Sequence, residues 1–221
     1  MSLTTLDAIV SDPNASAEVE RVWDELTREF DAVNARKLHH YMKRREVSFH
    51  THVKLLGYLA LSLKDVPGDI LEIGVWKGKS LALMHRLGGA GAKAIGIDPL
   101  EIEGQAKEIR IFQKKIFPDI TVVQGYSEYA AEQALAISHS FKLFHIDGGH
   151  LTKNVWIDFL AYGQFVLPAG YLVFDDYADK EFSPEVGPAI DRMREIGLFE
   201  GWDIIGQVEP FTNSFVLRRK S

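Results

Sequence analysis

The chain has 221 residues, a formal net charge of −6 at pH 7 and no cysteine, with 46% hydrophobic and 25% charged residues. This balance predicts a globular protein, and no apolar run approaches the roughly 20 residues of a membrane-spanning helix. The acidic balance argues against a nucleic-acid partner, because phosphate binding usually needs a basic patch. The lack of cysteine excludes disulfides and thiolate sites. We expect a cytoplasmic protein with neither a membrane nor a nucleic-acid partner.

The first third of the chain has a helical pattern. Apolar residues recur every three to four positions over 17–45, and a second helix is predicted over 48–63, before Pro67-Gly68 breaks the pattern. We interpret residues 1–66 as a helical extension, a lid or an oligomerisation element. With Trp23 and Phe30, these helices carry more apolar side chains than are needed to cover one face of a small sheet. This excess favours a homodimer over the lid.

Residues 67–221 form the main domain in this interpretation, with short apolar runs that alternate with amphipathic stretches. Such alternation predicts βαβ units, a parallel sheet ordered 3-2-1-4-5 and helices on both faces. The last two strands are joined by too few residues for a crossover helix, so they are predicted to pair antiparallel. The predicted strands lie near 69–74, 93–98, 120–124, 141–147, 170–175, 202–208 and 214–219, and the helices near 78–88, 103–116, 127–137, 150–166 and 186–197.

The first motif is an apolar strand that enters a glycine-bearing turn and then a helix. Gly74 permits a sharp turn and a close ligand approach, Gly78 opens a helix whose amide groups point outward, and Ser80 can add a hydroxyl. The spacing is G-x-x-x-G, not the G-x-G-x-x-G of dinucleotide-binding folds. Glu72 would repel a pyrophosphate but suits a cation with an amino group, such as S-adenosylmethionine. Alternatively, Glu72 satisfies local backbone donors and the glycines only form a turn.

The next two strands end in residues that suit a nucleoside. Asp98 ends the second strand, 20 residues after Gly78, and an acid there can accept both hydroxyls of a ribose. Gly125-Tyr-Ser127 ends the third strand, where the adenine is expected, although such sequences are also common in loops. We therefore predict that Glu72 and Asp98, together with Ser127, bind S-adenosylmethionine.

Three aspartates follow the fourth and fifth strands. Asp147 ends the fourth strand, and Asp175 and Asp176 end the fifth, so all three are expected in one crevice beside the nucleotide. Carboxylates held together repel one another unless they are protonated or neutralised, and Mg²⁺ takes such oxygen ligands. These three residues are the predicted metal ligands, and Asp147 is also assigned to the cofactor and to catalysis. The alternative is that each aspartate caps a separate turn or helix.

His150 lies three residues after Asp147, at the start of the next helix. Gly148-Gly149 allows a tight turn, so that His150 can point back into the crevice and act as a general base. The alternative is a histidine at the helix start that faces solvent.

Three motifs in order resemble those of a known family. Residues 67–80, Asp147-Gly-Gly-His150 and residues 173–177 are similar to the macrocin O-methyltransferase (TylF-like) group of class I S-adenosylmethionine-dependent methyltransferases. The resemblance covers about residues 65–180 and implies a Rossmann-like α/β fold with a mostly parallel seven-stranded sheet. It also implies Mg²⁺-assisted methylation of a hydroxyl on a small molecule such as a natural-product sugar. It places Asp147, Asp175 and Asp176 on metal positions and His150 on a base position.

Other functions remain open at this point. A metal-independent methyltransferase would use His150 with a carboxylate to activate the acceptor, whereas a vicinal diol or catechol as acceptor would suit the metal, because its two oxygens can chelate the ion. A non-catalytic cofactor-binding partner protein would keep the cofactor motif alone. An oxidoreductase is disfavoured by the missing dinucleotide fingerprint.

Overall fold

The computed structural model describes residues 4–37 and 51–221 as α/β, with helices on both faces of one sheet. The helices are α1 Thr4–Val10, α2 Pro13–Lys37, α3 Thr51–Ser62, α4 Lys79–Leu87, α5 Gln105–Lys115, α6 Ser127–Ile137, α7 Thr152–Tyr162 and α8 Val186–Glu195. The strands are β1 Asp69–Ile73, β2 Ala94–Asp98, β3 Ile120–Gln124, β4 Phe141–Ile146, β5 Val166–Phe174, β6 Trp202–Val208 and β7 Phe211–Arg219.

The sheet has seven strands in the order β3-β2-β1-β4-β5-β7-β6. Strands β1 to β5 are parallel, whereas β7 pairs antiparallel with both β5 and β6. This arrangement confirms the predicted Rossmann-like sheet with its C-terminal antiparallel hairpin. The parallel strands direct their carboxyl ends to one edge, which is where ligands bind in open α/β sheets.

Some boundaries differ from the predicted ones. Helix α1 was not predicted, and α2 begins at Pro13. Strand β5 begins at Val166, because α7 ends at Tyr162 and only a short 3-10 turn separates the two elements. Residues 38–50, where the first predicted helix ends and the second begins, lie outside the described residues.

The N-terminal helices share a core with the sheet. Helices α2 to α5 cover one face of the sheet and α6 to α8 the other. Trp23 and Phe30 of α2 are both buried: the Nζ of Lys79 lies 3.7 Å from the centre of the Trp23 ring, and the Phe30 and Phe112 rings are 4.7 Å apart. Because the chain itself covers these side chains, they no longer argue for a homodimer, which stays a prediction, as does the domain boundary after residue 66.

The described helices were compared with the length and hydropathy of a membrane-spanning helix. None of those within residues 4–37 and 51–221 is both long and apolar enough to span a bilayer.

Candidate active site

A cleft of about 520 Å³ opens at the carboxyl ends of β1 to β4. It is lined by five of the predicted site residues, namely Gly74, Asp98, Ser127, Asp147 and His150. The other predicted residues, Glu72, Gly78, Ser80, Asp175 and Asp176, lie outside this lining. The structure therefore gathers the predicted nucleoside-binding positions with Asp147 and His150 around one cavity.

Gly74 lies where the loop after β1 touches the loop after β4. Its φ is +87°, and a Cβ atom at this position would lie 1.8 Å from the backbone carbonyl oxygen of Asp147. Gly78 also has a positive φ, but a Cβ atom there would lie 3.0 Å from the Phe117 ring, so the missing side chain makes room for that ring. Gly74 therefore sets the shape of the cleft floor, while Gly78 serves packing. Ligand contact by Gly78 and Ser80 stays a prediction.

Asp98 holds the glycine turn in place. One carboxylate oxygen accepts the backbone N–H groups of Val75 and Trp76, each at 3.0 Å, and the other accepts the N–H of Leu100 at 2.7 Å and the amide of Gln105 at 3.2 Å. Trp76 and Gln105 also line the cleft, and the sequence had not singled them out. Asp98 thus orders the glycine turn from the side of β2, and its bond to a ribose stays a prediction.

The side-chain hydroxyl of Ser127 bonds to another residue of the protein. Its hydroxyl donates to the buried carboxylate of Asp158, and its carbonyl accepts the Tyr162 hydroxyl at 2.6 Å. Asp158 lies beneath the cleft, since a Cβ on Gly148 would lie 3.1 Å from its second carboxylate oxygen. Burial raises the pKa of Asp158 to about 7, against the lowering effect of the Ser127 bond. The Asp158 carboxyl, missed in the sequence, thus supports the loop that contains Ser127.

Asp158→Asn is expected to flatten the pH dependence of stability between about pH 4 and 7. A carboxyl whose pKa is higher in the folded state than its ordinary value of 3.8 binds its proton more tightly when folded. Its contribution is therefore complete below the unfolded pKa and is lost as the pH rises through the folded one, by at most about 1.4 kcal/mol per pH unit. The asparagine keeps an acceptor for Ser127 but cannot ionise.

Urea unfolding at pH 5.5 and pH 8 measures this effect. The free energy of unfolding of the wild type should fall more between the two pH values than that of Asp158→Asn. The exposed Asp203→Asn serves as the matched control and should follow the wild type. Parallel behaviour of wild type and Asp158→Asn would show that Asp158 ionises normally.

A carboxylate–histidine cluster adjoins the cleft at Asp147. Two sets of three ligand atoms each lie within 4.8 Å of one another: His145, Asp147 and Asp175 in one, and Asp147, His150 and Asp176 in the other. Asp175 and Asp176 thus fall into different sets that share Asp147. Asp176 has a φ of +59°, which departs from the strand geometry and turns its side chain away from that of Asp175. The three predicted metal ligands lie close to one another, and each of the two sets also contains a histidine.

Asp176 and His150 form one hydrogen-bonded group with Ser183. The Ser183 hydroxyl donates to Asp176 at 2.7 Å and lies 2.8 Å from Nδ1 of His150, while Nε2 of His150 is 3.3 Å from the same Asp176 oxygen. Asn213 donates to the other Asp176 oxygen at 3.0 Å. These contacts hold the imidazole of His150 at the rim of the cleft, where it lines the cavity and stays open to solvent.

Burial and neighbouring negative charges both act on the Asp147 carboxyl. Burial, and then the charges of Asp175, Asp176 and Glu72, raise the pKa of Asp147 well above its usual range. A carboxylate in this position gains from any nearby positive charge.

Glu72 and His145 form a buried pair between β1 and β4. The two residues face each other in the strand register, and Nδ1 of His145 lies 2.9 Å from Oε1 of Glu72. His52 of α3 approaches the cluster from above, with Nδ1 3.5 Å from a carboxylate oxygen of Asp175. The structure thus directs Glu72 to His145 and not into the cleft lining, so its predicted bond to the cofactor stays untested. His145 was missed, although its position two residues before Asp147 places both side chains on the same face of the sheet.

The chain matches a family model described as a methyltransferase domain over residues 71–177, which contain the turn, the cleft and most of the cluster. It is also 33% identical over 151 residues to the uncharacterized protein R132 of Acanthamoeba polyphaga mimivirus, covering 66% of this chain and 68% of that protein. Over residues 71–177 the chain therefore has the sequence of a methyltransferase domain. It is an S-adenosylmethionine-dependent methyltransferase.

Solved structures of methyltransferases share this fold. An O-methyltransferase from Bacillus cereus in complex with SAH is 17% identical with a TM-score of 0.65, covering 91% of each chain. CalS11, a TDP-rhamnose 3′-O-methyltransferase of calicheamicin biosynthesis, is 18% identical with a TM-score of 0.59, covering 94% of this chain and 95% of that one. At these identities the similarity extends to the architecture, which is the class I methyltransferase fold.

Proposed function

We propose that this methyltransferase is a Mg²⁺-assisted O-methyltransferase of the TylF-like group that acts on a hydroxyl of a small molecule. The carrying observation is the cluster around Asp147, in which three aspartates lie beside the cofactor cleft and the charges of Asp175 and Asp176 add to burial in raising the pKa of Asp147. The similarity to CalS11, which acts on a sugar hydroxyl, supports a sugar or another vicinal diol as the acceptor.

The residues of the cluster fit a divalent cation. Carboxylate oxygens are the ligands that Mg²⁺ prefers, and the pKa of Asp147 is raised by burial and then by neighbouring carboxylate charges, which a cation would offset. Asp147, Asp175 and Asp176 would hold the ion. When bound, it would supply positive charge that orients an acceptor hydroxyl and lowers its pKa.

We assign cofactor binding and proton transfer to the residues in and around the cleft. We assign the ribose to Asp98, the adenine to the loop that contains Ser127, and the amino-acid end of S-adenosylmethionine to the turn of Gly74, Gly78 and Ser80 with Glu72. His150 would accept the proton of the acceptor hydroxyl, because its ring lines the cleft and is held by neighbouring side chains. Alignment of the hydroxyl with the methyl group would supply much of the remaining rate.

Removal of the metal tests the proposal. The protein is incubated with S-adenosylmethionine and a panel of sugars and catechols, and SAH formation is followed with EDTA and after Mg²⁺ is restored in excess. We expect chelation to lower turnover by at least about 100-fold, in keeping with a metal that provides several kcal/mol of charge stabilisation, and Mg²⁺ to restore it.

Two outcomes would point elsewhere. Full turnover under EDTA would favour metal-independent transfer, in which His150 works with a carboxylate alone. SAH binding without turnover on any acceptor would favour a non-catalytic partner protein. A calorimetric titration with SAH under EDTA serves as the control, since the cofactor cleft should bind its ligand without the cation.

A further inference from the structure

The buried pair of Glu72 and His145 has unused hydrogen-bonding capacity. Both side chains are at most 1% exposed, and one bond joins Nδ1 of His145 to Oε1 of Glu72. The other two polar atoms, Nε2 of His145 and Oε2 of Glu72, have no hydrogen-bond partner among residues 4–37 and 51–221. Buried polar atoms are normally satisfied, so this pair calls for a specific explanation.

The strand register turns His145 towards the acidic cluster. Asp147 directly follows β4, two residues after His145, so the two side chains lie on the same face of the sheet. On the neighbouring strand, Val173 pairs with His145, which puts Asp175 on the same face two residues later. One ring nitrogen of His145 lies within 4.8 Å of carboxylate oxygens of both Asp147 and Asp175. An imidazole thus stands beside two of the carboxylates assigned to the metal.

We propose that His145 is a nitrogen ligand of the cation site and that Glu72 orients it. This inference rests on the proposed function, because it shares Asp147 and Asp175 with that metal site. A histidine ligand commonly bonds a carboxylate through its second ring nitrogen, which fixes the ring and the tautomer. The Nδ1 bond to Glu72 has this form and leaves Nε2 for the cation.

An imidazole ligand changes which cations the site selects. Oxygen-only sites suit Mg²⁺, whereas imidazole nitrogen suits transition metals such as Co²⁺, Ni²⁺ and Zn²⁺. A site built from His145, Asp147 and Asp175 therefore binds a transition-metal divalent cation more tightly than Mg²⁺, which its carboxylates also accept, so the Mg²⁺ of the proposed function is the weaker-binding of the two cations. His150 belongs to the second set, with Asp176, and offers a matched comparison within the same cluster.

Calorimetric titration of the cofactor-free protein with Co²⁺ and with Mg²⁺ tests this preference. The wild type should bind Co²⁺ more tightly, and His145→Gln should lose most of that preference. Glu72→Gln should weaken Co²⁺ binding by about 10–100-fold, the usual effect of removing the group that orients a ligand. His150→Gln should retain the preference. An equal ratio of Co²⁺ to Mg²⁺ affinity in wild type and His145→Gln, or no cation binding at all, would overturn the proposal.

Pulsed electron paramagnetic resonance of the Mn²⁺-loaded protein gives a second readout that does not depend on a substitution in the core. Imidazole nitrogen coupling should be present in the wild type and should persist in the double variant His52→Gln/His150→Gln, which changes only side chains that reach solvent. Loss of the coupling in that double variant would overturn the role of His145. Because both measurements are made without S-adenosylmethionine, they can succeed even if the EDTA assay shows metal-independent methyl transfer.

Discussion

Gly74→Ala is expected to abolish cofactor binding and to lower the free energy of unfolding by about 3 kcal/mol or more. The new Cβ would lie 1.8 Å from the carbonyl oxygen of Asp147, so two loops would have to separate. The residue would also have to keep a φ of +87°. Backbone strain of this kind costs about 1–3 kcal/mol, and overpacking adds about as much again.

Gly91→Ala is the matched control. Gly91 has the same φ of +87°, but a Cβ there would meet no heavy atom within 4 Å. The difference between the two variants, measured by urea unfolding and by titration with SAH, therefore isolates the contact with Asp147. If both variants lost equal stability and both bound SAH, the close approach of the two loops would contribute neither to stability nor to cofactor binding.

Asp147→Asn is expected to lower turnover by at least about 100-fold, because it removes the carboxylate that both ligand sets share and with it the charge stabilisation by the proposed cation, while SAH affinity changes little. Asp147 adjoins both the cleft and the cluster, whereas its contact with Gly74 uses the backbone carbonyl, which the substitution keeps. The raised pKa of Asp147 means that its charge is unfavourable in the folded protein, so the variant should be at least as stable as the wild type near neutral pH.

The measurements are steady-state methyl transfer, SAH calorimetry and urea unfolding at pH 7.5. Asp203→Asn, an exposed substitution on β6, controls for a general effect of removing one negative charge. Wild-type turnover in Asp147→Asn would remove Asp147 from the mechanism. A large loss of stability would instead show that its carboxylate is needed for the fold.

The fold could be predicted because its signals are local. Each strand of the parallel sheet is a short apolar run and each helix an amphipathic stretch, so the order of elements follows from periodicity. The short link between β6 and β7 fixed the antiparallel hairpin in the same way. The start of β5 at Val166 was missed, because a 3-10 turn carries no periodic pattern.

The residues of the cleft could be predicted where they end a strand or lie in the turn that follows it. Gly74, Asp98 and Asp147 were found because the carboxyl ends of parallel strands meet at one edge. The Asp158 carboxyl was missed because its importance comes from burial beneath the cleft, and His145 because its pairing with Glu72 depends on the register between β1 and β4.

A structure of the protein with bound SAH tests the central claim most directly. We predict that the nucleoside occupies the 520 Å³ cleft, with its ribose at Asp98 and its sulfur on the side of Asp147 and His150. SAH bound outside this cleft, or bound with its sulfur remote from Asp147, would contradict the account.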